Sequence, residues 1–235
     1  MREATPEDRP SQDEERVRAS YDAVAENYTA RVHDELRDKP IDRGLLNAFA
    51  DQLASEHGAG AEVCDMGCGP GHVGAFLAAR GLVVQGIDLS PSMVEQARAL
   101  HPDMTFDVGN MTALAVPDGR YDGMVAFYSI IHLSRDGDVR AALREFHRVL
   151  RAGGLLLLAV HLGEHGDDLE HADEMVGVTV DMDFRLYDAE HLVASLTAAG
   201  FAIEARLIRA PYPDVEVQTT RLYLLARRIS SGAGA

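Results

Sequence analysis

The chain has 235 residues, of which 46% are hydrophobic and 6% aromatic, and it contains no tryptophan. This length and apolar content suffice for one globular domain with a full hydrophobic core. Acidic residues outnumber basic residues by 38 to 22, which gives a formal net charge of −16. We therefore expect neither nucleic acid nor an anionic membrane surface as a partner, because both require basic patches.

The cysteines and the apolar runs indicate the compartment. Cys64 and Cys68 are the two cysteines; they are too few for a disulfide framework and have no companions that would complete a metal set. No apolar run has the length of a membrane span, and the charged N-terminus lacks the apolar segment of a signal peptide. We predict a cytoplasmic protein, monomeric or homodimeric.

Two helices are predicted at the start of the chain. Residues 1–12 are polar and contain two prolines, which predicts disorder. Apolar residues then recur at helical spacing over 13–36, and a second apolar stripe predicts a helix over 40–57. We expect these helices, within residues 13–58, to form a cap on the domain.

The segment 63–71, Val-Cys-Asp-Met-Gly-Cys-Gly-Pro-Gly, predicts a strand, a tight turn and the start of a helix. Glycine is needed where the backbone takes a positive φ or where a ligand must approach without a Cβ in the way. The first turn of the helix that follows has unpaired N–H groups, which favour an anionic part of a ligand.

Two classes of ligand compete for this turn. Gly69-x-Gly71-x-x-Gly74 formally matches the dinucleotide fingerprint, and Asp88 follows at roughly the spacing of a ribose-binding acid. Asp65, directly before the glycines, argues against a pyrophosphate because a carboxylate repels it. The same carboxylate suits a ligand with an ammonium group, and S-adenosylmethionine (SAM) is such a ligand.

Strands and helices alternate through the middle of the chain. Strands are predicted over 82–88, 104–108, 121–128 and 155–160. The helix that begins after the glycine turn is predicted to end at residue 80, and two more helices are predicted over 91–100 and 136–150. Ser90 and Pro91 predict an N-cap and the first helical position, and Gly153-Gly154 predicts a turn. The alternation predicts a doubly wound parallel sheet, whose ligands bind beyond the carboxyl ends of the strands.

The last third of the chain departs from this alternation. Residues 161–187 are acidic and lack a clean period, so we expect an inserted lid over the end of the sheet. A helix is predicted over 188–199, and alternating residues predict strands over 201–209 and 217–227. Residues 230–235 are predicted to form a disordered tail.

The turn resembles the first motif of the class I SAM-dependent methyltransferases, acid-x-Gly-x-Gly-x-Gly, through Asp65, Gly67, Gly69 and Gly71. The resemblance implies an α/β, doubly wound, mostly parallel seven-stranded sheet with an antiparallel last strand, in one domain over 13–229. It also implies SAM as cofactor, S-adenosylhomocysteine (SAH) as product, and in-line methyl transfer to an N or O atom of a small molecule. The similarity is to ubiquinone/menaquinone and natural-product methyltransferases, hence to secondary or cofactor metabolism.

The resemblance further implies a cofactor site. Asp88 is expected to bind both ribose hydroxyls, and Asn110 stands where the family usually has an acid that accepts from the adenine amino group. Two tyrosines of the first helix are expected near the methionine moiety, with ordinary helix packing as the alternative. The expected cofactor-binding residues are Tyr21, Tyr28, Arg31, Asp65, Gly67, Cys68, Gly69, Gly71, Asp88, Leu89, Met93, Asn110, Met111 and Phe127.

His132 is the candidate general base, because it follows the fourth strand, where the family places the transferring methyl group. A structural or orienting histidine is the alternative, since alignment alone accelerates methyl transfer. The expected substrate-binding residues are Tyr128, Ser129, His132, Arg185, Tyr187, Arg209 and Tyr212. No metal is expected: we interpret His161, His165 and His171, which lie among acidic residues, as part of a solvated lid rather than as ligands.

Two other functions stay open at this point. A nicotinamide-linked oxidoreductase would use the glycine turn for phosphate contacts. A SAM- or SAH-binding module without catalysis would have the same cofactor site and a protein partner, because an acceptor site has no fixed motif.

Overall fold

A computed structural model describes residues 12–164 and 166–229. The predicted disordered ends, apart from Gln12, and His165 lie outside these residues. Helix α1 (Gln12–Val32) is shorter than predicted, because the chain turns into a single 3-10 turn over Glu35–Asp38. Helix α2 (Pro40–His57) has the predicted bounds, with proline at its start and Gly58 in the left-handed region, φ 83°, after its end.

The rest of the domain is a seven-stranded sheet with helices on its faces. Its elements are β1 (Glu62–Met66), α3 (His72–Ala78), β2 (Val83–Asp88), α4 (Pro91–Leu100), β3 (Thr105–Val108), β4 (Tyr121–Phe127), α5 (Asp136–Val149), β5 (Leu150–Leu162), α6 (Ala189–Ala198), β8 (Phe201–Arg209) and β9 (Thr220–Arg228). The strand order is β3-β2-β1-β4-β5-β9-β8. Strand β9 pairs antiparallel with both neighbours, and the other pairings are parallel. The predicted fold class is confirmed.

The central strands are mostly apolar because both of their faces are covered. In β4, Met124 and Ala126 pack toward α5 and α6, whereas Val125 packs toward α2 and α3. The contact with α2 is close: a Cβ on Gly123 would lie 2.6 Å from a Leu53 methyl carbon. Each fully buried side chain of this kind contributes about 1.5–3 kcal/mol.

Strand β5 differs from the prediction. Tyr121 pairs with Leu150 and Gly123 pairs with Leu155, so residues 151–154 form a bulge within the strand. Gly153, with φ 79°, supplies the left-handed residue of this bulge. The predicted glycine turn is therefore a break inside one longer strand, since the ladder resumes on its far side.

The acidic segment 161–187, predicted to be an irregular lid, contains an antiparallel hairpin. Its strands are β6 (Asp168–Met175) and β7 (Val178–Leu186), which form a separate two-stranded sheet. The apolar residues Val180 and Met182 of β7 are buried in a cluster that includes Val24 of α1. The hairpin thus packs against the first helix. None of the described helices has the length and apolarity needed to cross a membrane.

Candidate functional site

One cavity of about 580 Å³ lies at the carboxyl ends of β1, β2 and β4, with α1 over it. This volume is within the usual range of small-molecule pockets. The predicted site residues that border it are Tyr21, Tyr28, Asp65, Gly67, Cys68, Gly69, Asp88, Leu89, Asn110, Met111, Phe127, Tyr128, Ser129 and His132. The sheet therefore brings together side chains that are far apart in the sequence.

The glycine turn forms one wall of the cavity and is held by Asp65. The buried Asp65 carboxylate accepts a hydrogen bond from the Gly74 backbone N–H at 2.8 Å, and burial raises the pKa of this carboxyl to about 6. Gly67 has φ 68°, and a Cβ there would lie 2.3 Å from the Cβ of Ser129. Only glycine fits this position, because a side chain would meet both backbone strain and the loop after β4.

Asp88 joins two loops at the edge of the cavity. Its Oδ2 accepts from the Gly69 N–H at 2.8 Å and its Oδ1 accepts from the Ser90 N–H at 2.9 Å. Burial raises the pKa of Asp88, and a carboxylate keeps further acceptor positions after two hydrogen bonds. Ser90 is the predicted N-cap of α4: its Oγ accepts from the Met93 N–H at 3.1 Å.

Asn110 is already engaged within its own loop. Its side-chain oxygen accepts from the backbone N–H of Thr112 at 2.8 Å and from the Thr112 hydroxyl at 2.9 Å. These bonds use both lone pairs of the amide oxygen. To accept the expected hydrogen bond from an adenine amino group, the amide oxygen of Asn110 would have to give up one of its two bonds to Thr112. The amide NH₂ group of Asn110 could donate a hydrogen bond to a ligand without breaking either of them.

Two aromatic side chains contact His132, and a third packs against one of them. The Tyr21 hydroxyl lies 2.7 Å from Nε2 of His132, and the Phe184 ring packs edge-on against the imidazole at 4.9 Å between centroids. Tyr28 packs edge-on against Tyr21 at 5.7 Å. Burial lowers the pKa of His132 to about 4, so its imidazole is neutral at pH 7.

The inner end of the cavity is a buried polar network. The Tyr128 hydroxyl lies 2.7 Å from the Tyr223 hydroxyl, which donates to Oδ1 of Asp42 at 2.8 Å. Arg209 donates to the other Asp42 oxygen at 2.8 Å. Tyr128 has φ 53°, a left-handed conformation that costs a non-glycine residue about 1–3 kcal/mol and is typical of functional sites.

The cavity residues that were not predicted include Glu35, Asp42 and His72. Glu35 accepts from Lys39 at 2.8 Å and lies 3.2 Å from Nε2 of His72. Burial works against its ionisation, but the bonds from His72 and Lys39 prevail and lower the pKa of Glu35 to about 2. A signal existed for Asp42, which lies four residues before Leu46 on the apolar stripe of α2 and is 1% exposed.

Residues 63–154 match the family described as "Methyltransferase domain". The chain is similar to a demethylmenaquinone methyltransferase of Beutenbergia cavernae, at 31% identity over 143 residues, which cover 61% of this chain and 57% of that protein. It is also similar to the ubiquinone/menaquinone biosynthesis C-methyltransferase UbiE of Rubrivivax gelatinosus, at 33% identity over 146 residues, covering 61% and 55%. The chain thus aligns with little more than half the length of these curated relatives.

A solved structure shares the fold over nearly the whole chain. Magnesium protoporphyrin IX methyltransferase of Synechocystis superposes with a TM-score of 0.68 at 18% identity, covering 93% of this chain and 98% of that one. The chain has the fold of the SAM-dependent methyltransferases, and residues 63–154 match a methyltransferase domain. A second structure of the methyltransferase fold, a Burkholderia thailandensis 1,6-didemethyltoxoflavin-N1-methyltransferase, gives a TM-score of 0.61 at 21% identity, with 91% of each chain covered.

The methyltransferase sheet and the loop chemistry argue against the oxidoreductase alternative. Strand β9 is inserted antiparallel between β5 and β8, which a plain dinucleotide-binding sheet does not require. The carboxylates of Asp65 and Asp88 meet at the glycine turn, where a dinucleotide would place its pyrophosphate.

Three of the expected cofactor residues do not border the methyltransferase cavity. Arg31 is exposed and donates to the Val215 carbonyl at 2.9 Å. Met93 is fully buried in the cluster beneath α1. Gly71 is the N-cap of α3 with φ 82°, and a Cβ on it would lie 2.8 Å from the Phe106 ring, so its role is in packing.

Four of the expected substrate residues also do not border the cavity, because the structure places them behind its wall. Arg185 pairs with Asp136 at 2.5 Å, and the Tyr187 hydroxyl donates to a backbone carbonyl in the core. Arg209 is in the buried network with Asp42, and the Tyr212 hydroxyl accepts from the backbone of α2.

One group of side chains could hold a metal ion by its geometry, but an arginine side chain already binds its carboxylates. Carboxylate oxygens of Asp136 and Asp167 and a ring nitrogen of His191 come within 4.8 Å of one another. The Arg185 guanidinium donates to Asp136 and lies 3.1 Å from Asp167, so it already supplies the positive charge there. The lid histidines His161 and His171 do not converge: the first bonds Thr219 and the second bonds Asp183.

Proposed function

We propose that this chain binds SAM in the cavity and transfers its methyl group to an N or O atom of a small molecule. The observation that carries the proposal is the meeting of the glycine turn, the Asp88 carboxylate and the α1 tyrosines around one cavity. When bound, SAM supplies a methyl group attached to its sulfonium sulfur. After the transfer this sulfur is the neutral thioether of the product, SAH.

The residues at the cavity fit this cofactor. Gly67 leaves a cradle that a Cβ would fill, so a ligand can approach the backbone of the turn. The carboxylates of Asp65, Asp88 and Glu35 favour a ligand with positive charge over a pyrophosphate. The faces of Tyr21 and Tyr28 favour a cation in the same way.

The expected cofactor residues that border the cavity can be assigned to different parts of SAM by their position. We infer that Asp88 binds the ribose hydroxyls, since its carboxylate lies where β2 ends. Leu89, Asn110 and Met111 lie beyond it and suit the adenine. Phe127 and the α1 tyrosines border the end at which the methyl group would be presented.

The chain contributes mainly alignment and exclusion of water. Helix α1 lies over the cavity and is tied to the loop after β2, because Asp22 accepts from the Ser90 hydroxyl at 2.6 Å. The β6–β7 hairpin covers α1 from the other side through Val180 and Met182. An acceptor held in line within such an enclosure gains rate from proximity and from the absence of competing water.

Relatives of this chain include an O-methyltransferase of Aspergillus sclerotiorum, and a neighbouring structure is a 1,6-didemethyltoxoflavin-N1-methyltransferase. These names support a small-molecule acceptor and a place in secondary or cofactor metabolism. We also propose a single methyltransferase domain over 13–229, a cytoplasmic location, and a monomer or homodimer without a nucleic-acid partner.

The test is transfer of a deuterated methyl group from labelled SAM to a library of hydroxyl- and amine-bearing metabolites, followed by mass spectrometry. We expect labelled product from the wild type and from the exposed control Asp103→Ala, and loss of product in Asp88→Ala. Binding of SAH without any labelled product would instead support a non-catalytic SAM-binding module.

A further inference from the structure

This inference rests on the proposed function and concerns the route of a proton. The two nitrogens of the His132 ring are both closed to a ligand. Nε2 lies 2.7 Å from the Tyr21 hydroxyl, and Nδ1 is buried, with less than 1 Å² of solvent-accessible surface. A methyl acceptor therefore cannot reach either nitrogen while Tyr21 stays in place.

Tyr21 itself borders the cavity. A phenol has one proton to donate and two lone pairs to accept with. When its proton points to Nε2 of His132, its lone pairs are available to a donor in the cavity. We propose that Tyr21 takes the proton of a hydroxyl-bearing methyl acceptor while it passes its own proton to His132.

The surroundings hold the pair in one arrangement. Tyr28 packs on Tyr21 from the same helix, and Phe184 packs on His132 from β7. The titratable groups that influence the pair include Asp88, which acts on Tyr21, and His161, which interacts with His132; the Asp183 backbone also faces the imidazole. The imidazole thus has no ion-pair partner among these groups, and burial keeps it weakly basic.

A weak base of this kind suits a hydroxyl acceptor. A neutral amine attacks through its free lone pair and forms a stable ammonium, so it needs no relay. A hydroxyl oxygen that bonds to carbon becomes an oxonium, a strong acid that can protonate even a weakly basic imidazole. The relay therefore narrows the proposed acceptors to alcohols, phenols or enols.

The acceptor oxygen bonds to the methyl carbon as the carbon–sulfur bond breaks, and that electron pair stays on sulfur. The hydroxyl proton moves to the Tyr21 oxygen, and the Tyr21 proton moves to Nε2 of His132. The positive charge that the sulfonium loses appears on His132, which returns its proton through Tyr21 to water once the product has left the cavity.

The first experiment records the ring-nitrogen NMR signals of ¹⁵N-histidine protein saturated with SAH. In the wild type we expect an unprotonated, hydrogen-bonded Nε2 on His132 that stays neutral down to about pH 5. Tyr21→Phe should shift the Nε2 signal, whereas Tyr28→Phe, which removes a hydroxyl with no bond to His132, should not. An Nε2 signal unchanged by Tyr21→Phe would overturn the proposal.

The second experiment tests contact with an acceptor by titrating the SAH complex with phenol and with anisole, which has no proton to donate. The ¹³Cζ signal of Tyr21, assigned through Tyr21→Phe, should shift with phenol and not with anisole. No phenol-dependent shift, or a shift at His132 alone, would contradict the relay. SAH binding is measured first: its absence rejects the proposed function, whereas SAH binding with uncoupled Tyr21 and His132 rejects the relay alone.

Discussion

The two ends of the cavity are built in different ways. The glycine-turn end comes from two neighbouring strand–turn–helix units, and its contacts join nearby segments, such as Asp88 to Gly69. The inner end joins Asp42, Tyr128, Arg209 and Tyr223, which come from a helix, a loop and two C-terminal strands. The first end is defined by backbone geometry, and the second by buried side chains that depend on one another.

This difference predicts where the protein is most fragile. Asp42→Ala removes the carboxylate that accepts from Tyr223 and Arg209 at the inner end. Breaking one partner of a buried ion pair typically costs about 3–5 kcal/mol. We expect a loss of that size in the free energy of unfolding, measured by urea denaturation. Asp51→Ala, an exposed change on the same helix, is the control; equal effects of the two would contradict the contrast.

At the glycine-turn end, the sensitive group is a backbone position. Gly67→Ala combines a strained φ of 68° with a Cβ only 2.3 Å from Ser129. We expect a loss of about 2–4 kcal/mol in stability, from strain and overpacking together. The control is Gly44→Ala on α2, where a Cβ meets nothing within 4 Å and helix propensity improves. If Gly67→Ala left the free energy of unfolding unchanged, the loop after β4 would have to move away from the new Cβ without cost, and the prediction would be wrong.

A third prediction concerns pH. The folded-state pKa of His132, about 4, is below its ordinary value of 6.5, so the unfolded chain binds the proton first as pH falls. As the pH falls from 6.5 to 4, His132 should therefore lower the free energy of unfolding by up to about 3 kcal/mol. Asp65, with a raised pKa of about 6, acts in the opposite direction over part of this range.

Because the two effects oppose each other, the measurement is a difference. Unfolding is followed at several pH values in the wild type and in His132→Gln. The variant should lose less stability than the wild type below pH 6.5. Parallel pH curves would mean that His132 is not buried in its neutral form.

The smallest effect is expected at Arg31. The resemblance to the family implies a cofactor contact, but the structure places this side chain on the surface, bonded to the Val215 carbonyl. Arg31→Ala should change the SAH dissociation constant by no more than about twofold, measured by calorimetry. A tenfold loss would restore Arg31 to the cofactor site.

The position of the glycine-turn end could be predicted from the sequence for a physical reason. Strand ends, tight turns and N-caps such as Ser90 leave local patterns of residues, and the carboxyl ends of parallel strands must meet. The inner end left no local pattern, because Tyr223 becomes a partner of Asp42 only when the last strand enters the sheet. Asp42 was visible only as a polar residue within an apolar stripe.

The hairpin was missed for another reason. Its outward positions are acidic, and they obscured the alternation of Val178, Val180 and Met182, which marks a half-buried strand. Arg185, expected at the substrate, pairs with acids behind the hairpin instead. Charge alone does not indicate which face of a strand a residue occupies.

The most direct test of the account is a calorimetric titration of the protein with SAM, SAH and NADH. We predict binding of SAM and SAH and no binding of NADH. Asp88→Ala should weaken the binding of SAH by about 10- to 100-fold, as expected for lost hydrogen bonds to a charged group. The exposed control Asp103→Ala should leave the SAH dissociation constant unchanged. Binding of NADH with SAM and SAH silent would contradict the assignment of the glycine turn and the function built on it.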